Sequence, residues 1–434
     1  MSPPVIGALG IAALFALLFA RIPVWAVLSI IGFAGNYILG GAPAAFALAG
    51  TKPFDAASAY TLSVIPLFVL MGEVASETRL SSDLFKAARI SLSGIRGGLL
   101  VAAIAASGCF GAVCGSSVAT AATMTRIALP EMRKAGYDDG LAAGSIAAGG
   151  SLGILIPPSI ILVIYAAIAE QSVPRLFAAS LFPGLVLTGL YILVALFVSS
   201  YRPDAAPAAE RLPLRVRLAA LAGPWQFLAL FVTTIGGIYA GIFSPTEAAA
   251  IGAFGAIVLG FSGRRFTWLK LMLAIENAVV TSCLLFAIII GANLFAVFMV
   301  QTHLPDLLAS GAEALNLPGP AIMALIIVAY IVIGCFLEGI GMVLITVPVF
   351  LPLVMEYGYD PVWFAIIVVV VVEVGLIHPP VGMNLFVIQA QAPDLKITDI
   401  YLGILPFLIA PLILIVILFA LPELALWLPA VLYD

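Results

Sequence analysis

The chain of 434 residues is 63% hydrophobic and 9% charged, with a net charge of −4. So few charges cannot cover a soluble protein of this length, which would form two or three domains, and the composition requires an integral membrane protein. No nucleic-acid partner is expected.

In chain order, apolar runs of roughly 17 to 25 residues, the length a ~30 Å hydrocarbon core needs, allow about eleven spans. Spans fit at about 5–20, 23–48, 57–78, 138–170, 174–199, 220–242, 245–263, 272–300, 360–391 and 399–420. The first begins with no charged stretch or cleavage site, so no cleaved signal peptide is expected. Residues 97–134 and 319–356 are left over. In the first of these the apolar run breaks at "CGSS", leaving arms of roughly 17 and 14 residues, about 25 and 21 Å of helix, too short to cross comfortably. Both segments therefore read as re-entrant hairpins that return to the side they entered from. Sixteen of the eighteen Lys and Arg residues then share one side, Arg79, Arg264 and Arg265 among them, and only Lys52 and Arg175 face the other. The basic side is cytoplasmic by the positive-inside rule, which puts the N-terminus outside.

The chain repeats itself. "GYD" at Gly136–Asp138 recurs at Gly358–Asp360, Leu129–Pro130 at Leu351–Pro352, and Pro157 and Pro158 at Pro379 and Pro380, all 222 residues on. "GCF" at Gly108–Phe110 recurs at Gly334–Phe336 with an offset of 226, which implies about four residues gained or lost within the hairpins. The polar, Pro- and Ala-rich stretch Ser199–Leu218 links the two halves. His303, Asp306, Glu313, Glu356 and Asp360 flank the second hairpin without a base, so it enters from outside while the first enters from inside. The fold expected is an all-α polytopic membrane protein with an inverted-topology repeat, two re-entrant helical hairpins and two broken helices. Residues 97–173 and 317–392 would form a transport domain. The scaffold would comprise 1–96, 174–219 with the linker, 220–316, and a C-terminal span in 393–434.

A helix broken by Gly and Pro at membrane depth is tolerated only where its freed backbone groups face protein or a wet cavity, and there they become ligands. "GSLGILIPPS", with Pro157, and "VGLIHPPVGMN" are such breaks, expected opposite the tips "AVCGSSVAT" and "FLEGIGM". Ser116, Ser117 and Thr120 offer uncharged hydroxyl oxygens suited to a hard monovalent cation, and a following helix N-terminus favours a carboxylate. Glu338 stands alone in an apolar run, where a carboxylate is expensive unless it acts. Glu73 and Glu276 are weaker candidates, and Glu247 reads as a helix cap. Cys109, Cys114, Cys283 and Cys335 read as small buried hydrophobes. His378 reads as a neutral ring bonded to a freed carbonyl, with proton coupling or substrate binding as the alternative.

"FGAVCGSSVATAATM", "LPEMRKAGYD", "GSLGILIPPSIILVIYA", "FSPTEAAAIGA", "VPVFLPLV" and "PPVGMNLFVI", spread over essentially the whole chain, resemble the large membrane subunit of the tripartite ATP-independent periplasmic (TRAP) transporters. The resemblance implies sodium-coupled uptake by an elevator mechanism in a bacterial inner membrane. A periplasmic solute-binding protein would deliver an organic anion, and a small membrane subunit of about four helices would be a partner. It implies a first sodium region of Gly115, Ser116 and Ser117 with Gly150, Ser151 and Gly153. The second would be Glu338, Gly339, Gly341 and Thr346 with Gly375, Pro379, Gly382 and Asn384. Ser116, Ser117, Gly153, Gly341 and Gly382 would hold sodium directly. Two departures stand out: Cys114 where the family usually has a small hydroxyl residue, and His378 where Thr commonly precedes the two prolines. A self-sufficient sodium–dicarboxylate carrier is the alternative within transport. An intramembrane enzyme would need a nucleophile–base pair or a metal set, and neither GxSxG nor HExxH occurs. With no Lys or Arg in the tips or breaks, dicarboxylates, keto acids, sugar acids and sulfonates all remain open as substrates.

Overall fold

The computed structural model describes residues 1–433 except 79, 209–210, 263–265, 305, 308–309, 312–316 and 335–336. Arg79, Arg264, Arg265, Glu313, Cys335 and Phe336 therefore lie outside the described residues. Regular structure among those described is helical, with a single isolated bridge between Arg96 and Ala208.

The first half runs α1 (Pro3–Phe19), α2 (Val24–Ser58), α3 (Val64–Glu77) and α4 (Leu80–Ser91). A helical hairpin of α5 (Gly98–Cys114) and α6 (Ser117–Lys134) follows, then a helix split into α7 (Asp139–Ser151) and α8 (Ile160–Ile168), and then α9 (Val173–Tyr201). The second half begins with α10 (Leu214–Ala220), α11 (Trp225–Phe231), α12 (Gly237–Tyr239), α13 (Pro245–Ser262) and α14 (Trp268–Gln301). Its hairpin is α15 (Gly319–Gly334) and α16 (Gly339–Glu356), its split helix is α17 (Pro361–Ile377) and α18 (Met383–Gln391), and α19 (Ile397–Ile404), α20 (Ile409–Ala420) and α21 (Glu423–Tyr433) close the chain.

Among the described residues, seven helices are long and apolar enough to cross a membrane, or eight if the bent pair Leu214–Ala220 and Trp225–Tyr239 is one span, so the protein is a multi-pass membrane protein. The sequence allowed more because it counts a broken helix as one span, whereas each piece of α7–α8 and α17–α18 falls short by itself. The second arm of the first hairpin is longer than the sequence suggested. It carries on through Pro130 to Lys134, 18 residues in all. Gly339–Glu356 matches that length and is apolar enough to qualify as a span, so length does not mark it as a hairpin arm.

The repeated residues have local reasons to recur. Gly136 and Gly358 end α6 and α16 at φ 78° and 79°, a left-handed conformation that costs glycine nothing. Asp138 then caps α7, its carboxylate accepting from Leu141 N at 2.8 Å, and Asp360 caps α17, accepting from Val362 N at 2.7 Å and Trp363 N at 3.1 Å. Each "GYD" is thus a helix stop followed by a helix start.

Two groups of helices pack separately. In one, α2 lies along α14, with α1 and α3 alongside and α13 on α3. A Cβ on Gly32 would stand 2.6 Å from Phe295 N, and Asn36 donates from Nδ2 to Leu294 O at 2.9 Å, so the backbones meet directly. In the other, both hairpins and both split helices pack together with α9, α19, α20 and α21. Gly144 and Gly403 bring α7 and α19 into similar contact. The groups meet where α3 and α4 lie on α5 and where α14 lies on α16.

Candidate functional site

Each hairpin sits on the break of its own half through a glycine pair. A Cβ on Gly111 of α5 would stand 2.5 Å from Gly153 Cα, and one on Gly375 of α17 would stand 2.8 Å from Gly334 Cα. Gly111 and Gly334 are therefore counterparts, 223 residues apart, and α6 and α16 begin and end 222 residues apart. The gap of about four residues inferred from "GCF" is not needed, because Gly334 answers to Gly111 and not to Gly108. The shared "GCF" letters misaligned the hairpins in an apolar stretch that offers few distinctive residues.

Each hairpin's second arm then crosses to the other half, α6 packing on α18 and α16 on α8. At the first tip Gly115 adopts φ 65°, and a Cβ there would meet Pro158 O at 3.0 Å. Ser116 caps α6 by accepting from Ala119 N at 3.4 Å, while Thr120 donates to Ser116 O at 2.7 Å. Buried Ser117 donates across the repeat boundary to Asn384 Oδ1 at 2.8 Å. Gly153 lies beneath, its Cβ position 3.0 Å from Thr120 Oγ1 and 3.1 Å from Ser116 O. The structure thus brings Gly115, Ser116, Ser117, Thr120, Gly153 and Asn384 together, with Pro157 in the break beside them. Gly150 packs on Ala121 of the same hairpin arm. Both breaks contain a cis peptide, Pro157–Pro158 and Pro379–Pro380.

Asn384 is buried in the first turn of α18, and among the described residues no group pairs with its Nδ2. Gly382, at φ 56°, forms the N-terminal boundary of that helix, with the His378 carbonyl 3.1 Å from its Cβ position. Two donors, the amide nitrogen and the helix N-terminus, therefore converge beside the hydroxyls of the first tip.

The second tip is less concentrated. Glu338 occupies the N-cap position of α16 without making a side-chain cap bond. Gly339 lies against Val372 of α17 and Ile161 of α8. Gly341 faces Val24 of α2, across the seam to the other helix group, its Cβ position 3.0 Å from Val24 Cγ1. Thr346 donates to Tyr330 Oη at 2.6 Å, a bond between the hairpin's two arms. Pro379 and His378 sit half-buried in the break, where Tyr401 donates to the Pro380 carbonyl.

Ser151 turns away from the first tip, with its hydroxyl 2.9 Å from Ala148 O and 3.2 Å from Tyr191 Oη of α9. Glu373, two residues before Gly375, is fully buried, and among the described residues neither of its oxygens has a hydrogen-bond partner. Sequence reasoning missed it, although the criterion applied to Glu338, one carboxylate in an apolar run, selects it equally. Glu247 is the cap it resembled, accepting from Ser244 N at 2.8 Å. Cys114 is buried, whereas Cys109 and Cys283 are exposed on the apolar surface.

At the seam, Gly72 of α3 packs on the Cys114 backbone and Ser76 is 3.0 Å from Thr123 of α6. A cavity of about 390 Å³ opens between α2, α8, α14 and α16, with Lys52, Asn293, Ile164 and Leu344 in its wall. At the far end of α6, Arg133 donates to Asp139 at 2.9 Å and to Asp394 at 2.7 Å, tying the first hairpin to both halves.

The sequence profile described as tripartite ATP-independent periplasmic transporter, DctM component, matches residues 11–424. The C4-dicarboxylate TRAP transporter large permease protein DctM of Pseudomonas aeruginosa is 38% identical over 87% of this chain and 88% of its own. The sialic acid TRAP transporter large permease protein SiaM of Vibrio cholerae is 30% identical over 85% of this chain and 86% of its own. Among solved structures, the YdaH transporter of Alcanivorax borkumensis superposes with a TM-score of 0.66 over 89% of each chain at 18% identity, a likeness of fold.

Proposed function

The chain belongs to the DctM component family of tripartite ATP-independent periplasmic transporters, whose members are transporter permeases and not enzymes, and from that premise we propose sodium-coupled uptake of an organic anion by an elevator mechanism. One observation carries the reading. Where both halves converge, Ser117 spends its proton on Asn384 Oδ1, while the Asn384 Nδ2 protons stay buried and unspent. An unspent donor pair at a helix N-terminus suits a carboxylate, and the adjacent Ser116, Ser117 and Thr120 oxygens suit sodium. Cation and anion would then occupy one electrostatic unit, so each favours the other's binding.

The protein would lie in the bacterial inner membrane with its N-terminus in the periplasm, the first hairpin entering from the cytoplasm and the second from outside. The moving body would comprise both hairpins and both split helices. Packing supports adding α9 and α19–α21 to it, since these lie on α7 and α17, although chain order assigned them to the scaffold. The scaffold would then be α1–α3 with α13 and α14. Lys52, one of two basic residues on the outer side, would meet the arriving anion at the seam cavity. A periplasmic binding protein would deliver the anion, and a small membrane subunit would brace the scaffold. One relative, the isethionate TRAP transporter permease protein DctMQ of Oleidesulfovibrio alaskensis, supports that second partner.

Proteoliposomes containing this chain, the small subunit and a loaded binding protein test the proposal. Uptake should require sodium, be electrogenic with at least two sodium ions per monoanion, and stop in the double variant Ser116→Ala, Ser117→Ala. Uptake unchanged when choline replaces sodium at fixed pH would sink it. Robust uptake by the chain alone would favour the self-sufficient carrier.

A further inference from the structure

We infer that the groove lined by α7, α9, α19 and α20 holds one phospholipid whose headgroup carries both a phosphate and a primary ammonium, a phosphatidylethanolamine by chemistry. The site lies apart from the hairpin tips, and it depends neither on sodium coupling nor on which body moves.

The groove has a local origin. Gly140 of α7 and Gly403 of α19 let the two backbones touch, so no side chain fills their junction. α9 and α20 supply the rest of the lining around an open cavity of about 900 Å³, a ligand-sized volume. On α9, Leu193, Phe197 and Tyr201 recur every four residues as one stripe of the helix, and each is more than half exposed. Ile409 and Ile413 of α20 add further exposed apolar surface. From Leu190 to Tyr201 the α9 lining covers about 16 Å at 1.5 Å per residue, the depth of one leaflet of a ~30 Å core. Walls of this chemistry and length suit an acyl chain.

The charges gather at one end. Arg202, next to Tyr201, is the single cation lining the groove, and Asp138 and Asp399 are its two carboxylates. Asp138 N donates to Ala205 O at 2.9 Å, and the Asp399 carbonyl lies 2.5 Å from a Cβ position on Gly140, so all three residues stand together. Among the described residues neither Arg202 nor Asp399 forms an ion pair, whereas Arg133 holds both Asp139 and Asp394 nearby. A purely anionic headgroup would meet two carboxylates for one guanidinium. A phosphate on Arg202 with an ammonium on Asp399 satisfies both signs at once, and an ammonium offers three N–H donors where choline offers none. The Asp138 carboxylate, already accepting from Leu141 N, adds negative field beside that ammonium. Tyr201, amphipathic and at the same end, suits the level of the headgroups.

The test uses the purified complex with its small subunit, stripped of lipid and titrated with dioleoyl phosphatidylethanolamine, phosphatidylcholine or phosphatidylglycerol, with native mass spectrometry counting bound lipids. The ethanolamine lipid should bind at about tenfold lower concentration than the other two, the worth of one charge-assisted hydrogen bond. Arg202 and Asp399 are exposed, so their variants keep the fold. Asp399→Asn should erase the preference without weakening the glycerol lipid, and Arg202→Gln should weaken all three. Leu193→Trp, which fills the groove and leaves the headgroup residues in place, should abolish the tight binding. Glycerophosphoethanolamine, the headgroup without chains, should not compete even in excess. Equal binding of the three lipids, a preference that survives Asp399→Asn, or competition by the chainless headgroup would each overturn the site. Loss of the small subunit from the Leu193→Trp complex would overturn it too, by showing this face to be a protein interface.

Discussion

Ser117 and Asn384 lie 267 positions apart and share one hydrogen bond, so the smallest unit of the proposed site already needs both halves of the chain. Removing either partner should cost most of the uptake, at least tenfold, with the fold intact. The double variant Ser117→Ala, Asn384→Ala should be little worse than the worse single one, because the two act as a unit. Additive losses in a double-mutant cycle of uptake rates would show that they act separately. At the far end of α6, the hydrogen bond from Arg133 holds the Asp394 carboxyl below the ordinary carboxylate range. A depressed folded value means that stabilisation is fully present above the unfolded value of about 3.9 and is lost as pH falls through the lower, folded one. Arg133→Ala should therefore lower Tm slightly at neutral pH and make no difference in strong acid, and a Tm difference that persists under acid would contradict the pairing. The hydroxyls at the first tip were legible in the sequence because "CGSS" interrupts an apolar run. Glu373 was legible by the same logic and missed amid valines, while the turn of Ser151 toward Tyr191 was not, since it depends on where α9 packs.

Several helix contacts here run through glycine pairs that let backbones touch. The sequence showed the "GYD" and double-proline repeats because their causes are local: a left-handed glycine, an aspartate cap, a proline break. It could not show that Gly111 meets Gly153 or that Gly334 meets Gly375, because each pair joins separate helices and glycine is common throughout the chain. Gly111→Ala would drive a Cβ to 2.5 Å from Gly153 Cα, a backbone atom that cannot step aside as a side chain does. It should destabilise the protein by about 1–3 kcal/mol. Gly189→Ala on α9, where a Cβ meets nothing within 4 Å, should leave stability at or slightly above wild type. Thermal unfolding of the two variants side by side separates the effect of the contact from that of glycine itself, and equal Tm values would refute it.

At the scale of the molecule, two packed groups meet along one seam, and the site lies in the group that holds both hairpins. Composition alone placed the chain in a membrane, arm length and the placement of basic residues gave the two hairpins, and the repeated Gly and Pro residues gave the two breaks. The sequence divided the bodies by chain order, however, and could not see α9 and α19–α21 lying on the split helices. The central claim is that this second group travels as one body against α2 and α14. Double electron–electron resonance on the reconstituted complex tests it most directly, with labels at Lys134 on the first hairpin and Trp268 on the scaffold, both exposed. A second pair, Lys134 and Leu402 on α19, lies within the body proposed to move. The account predicts two distance populations for the first pair, redistributed by sodium and loaded binding protein, and one unchanging distance for the second. A single narrow distance between Lys134 and Trp268 under all conditions would contradict it.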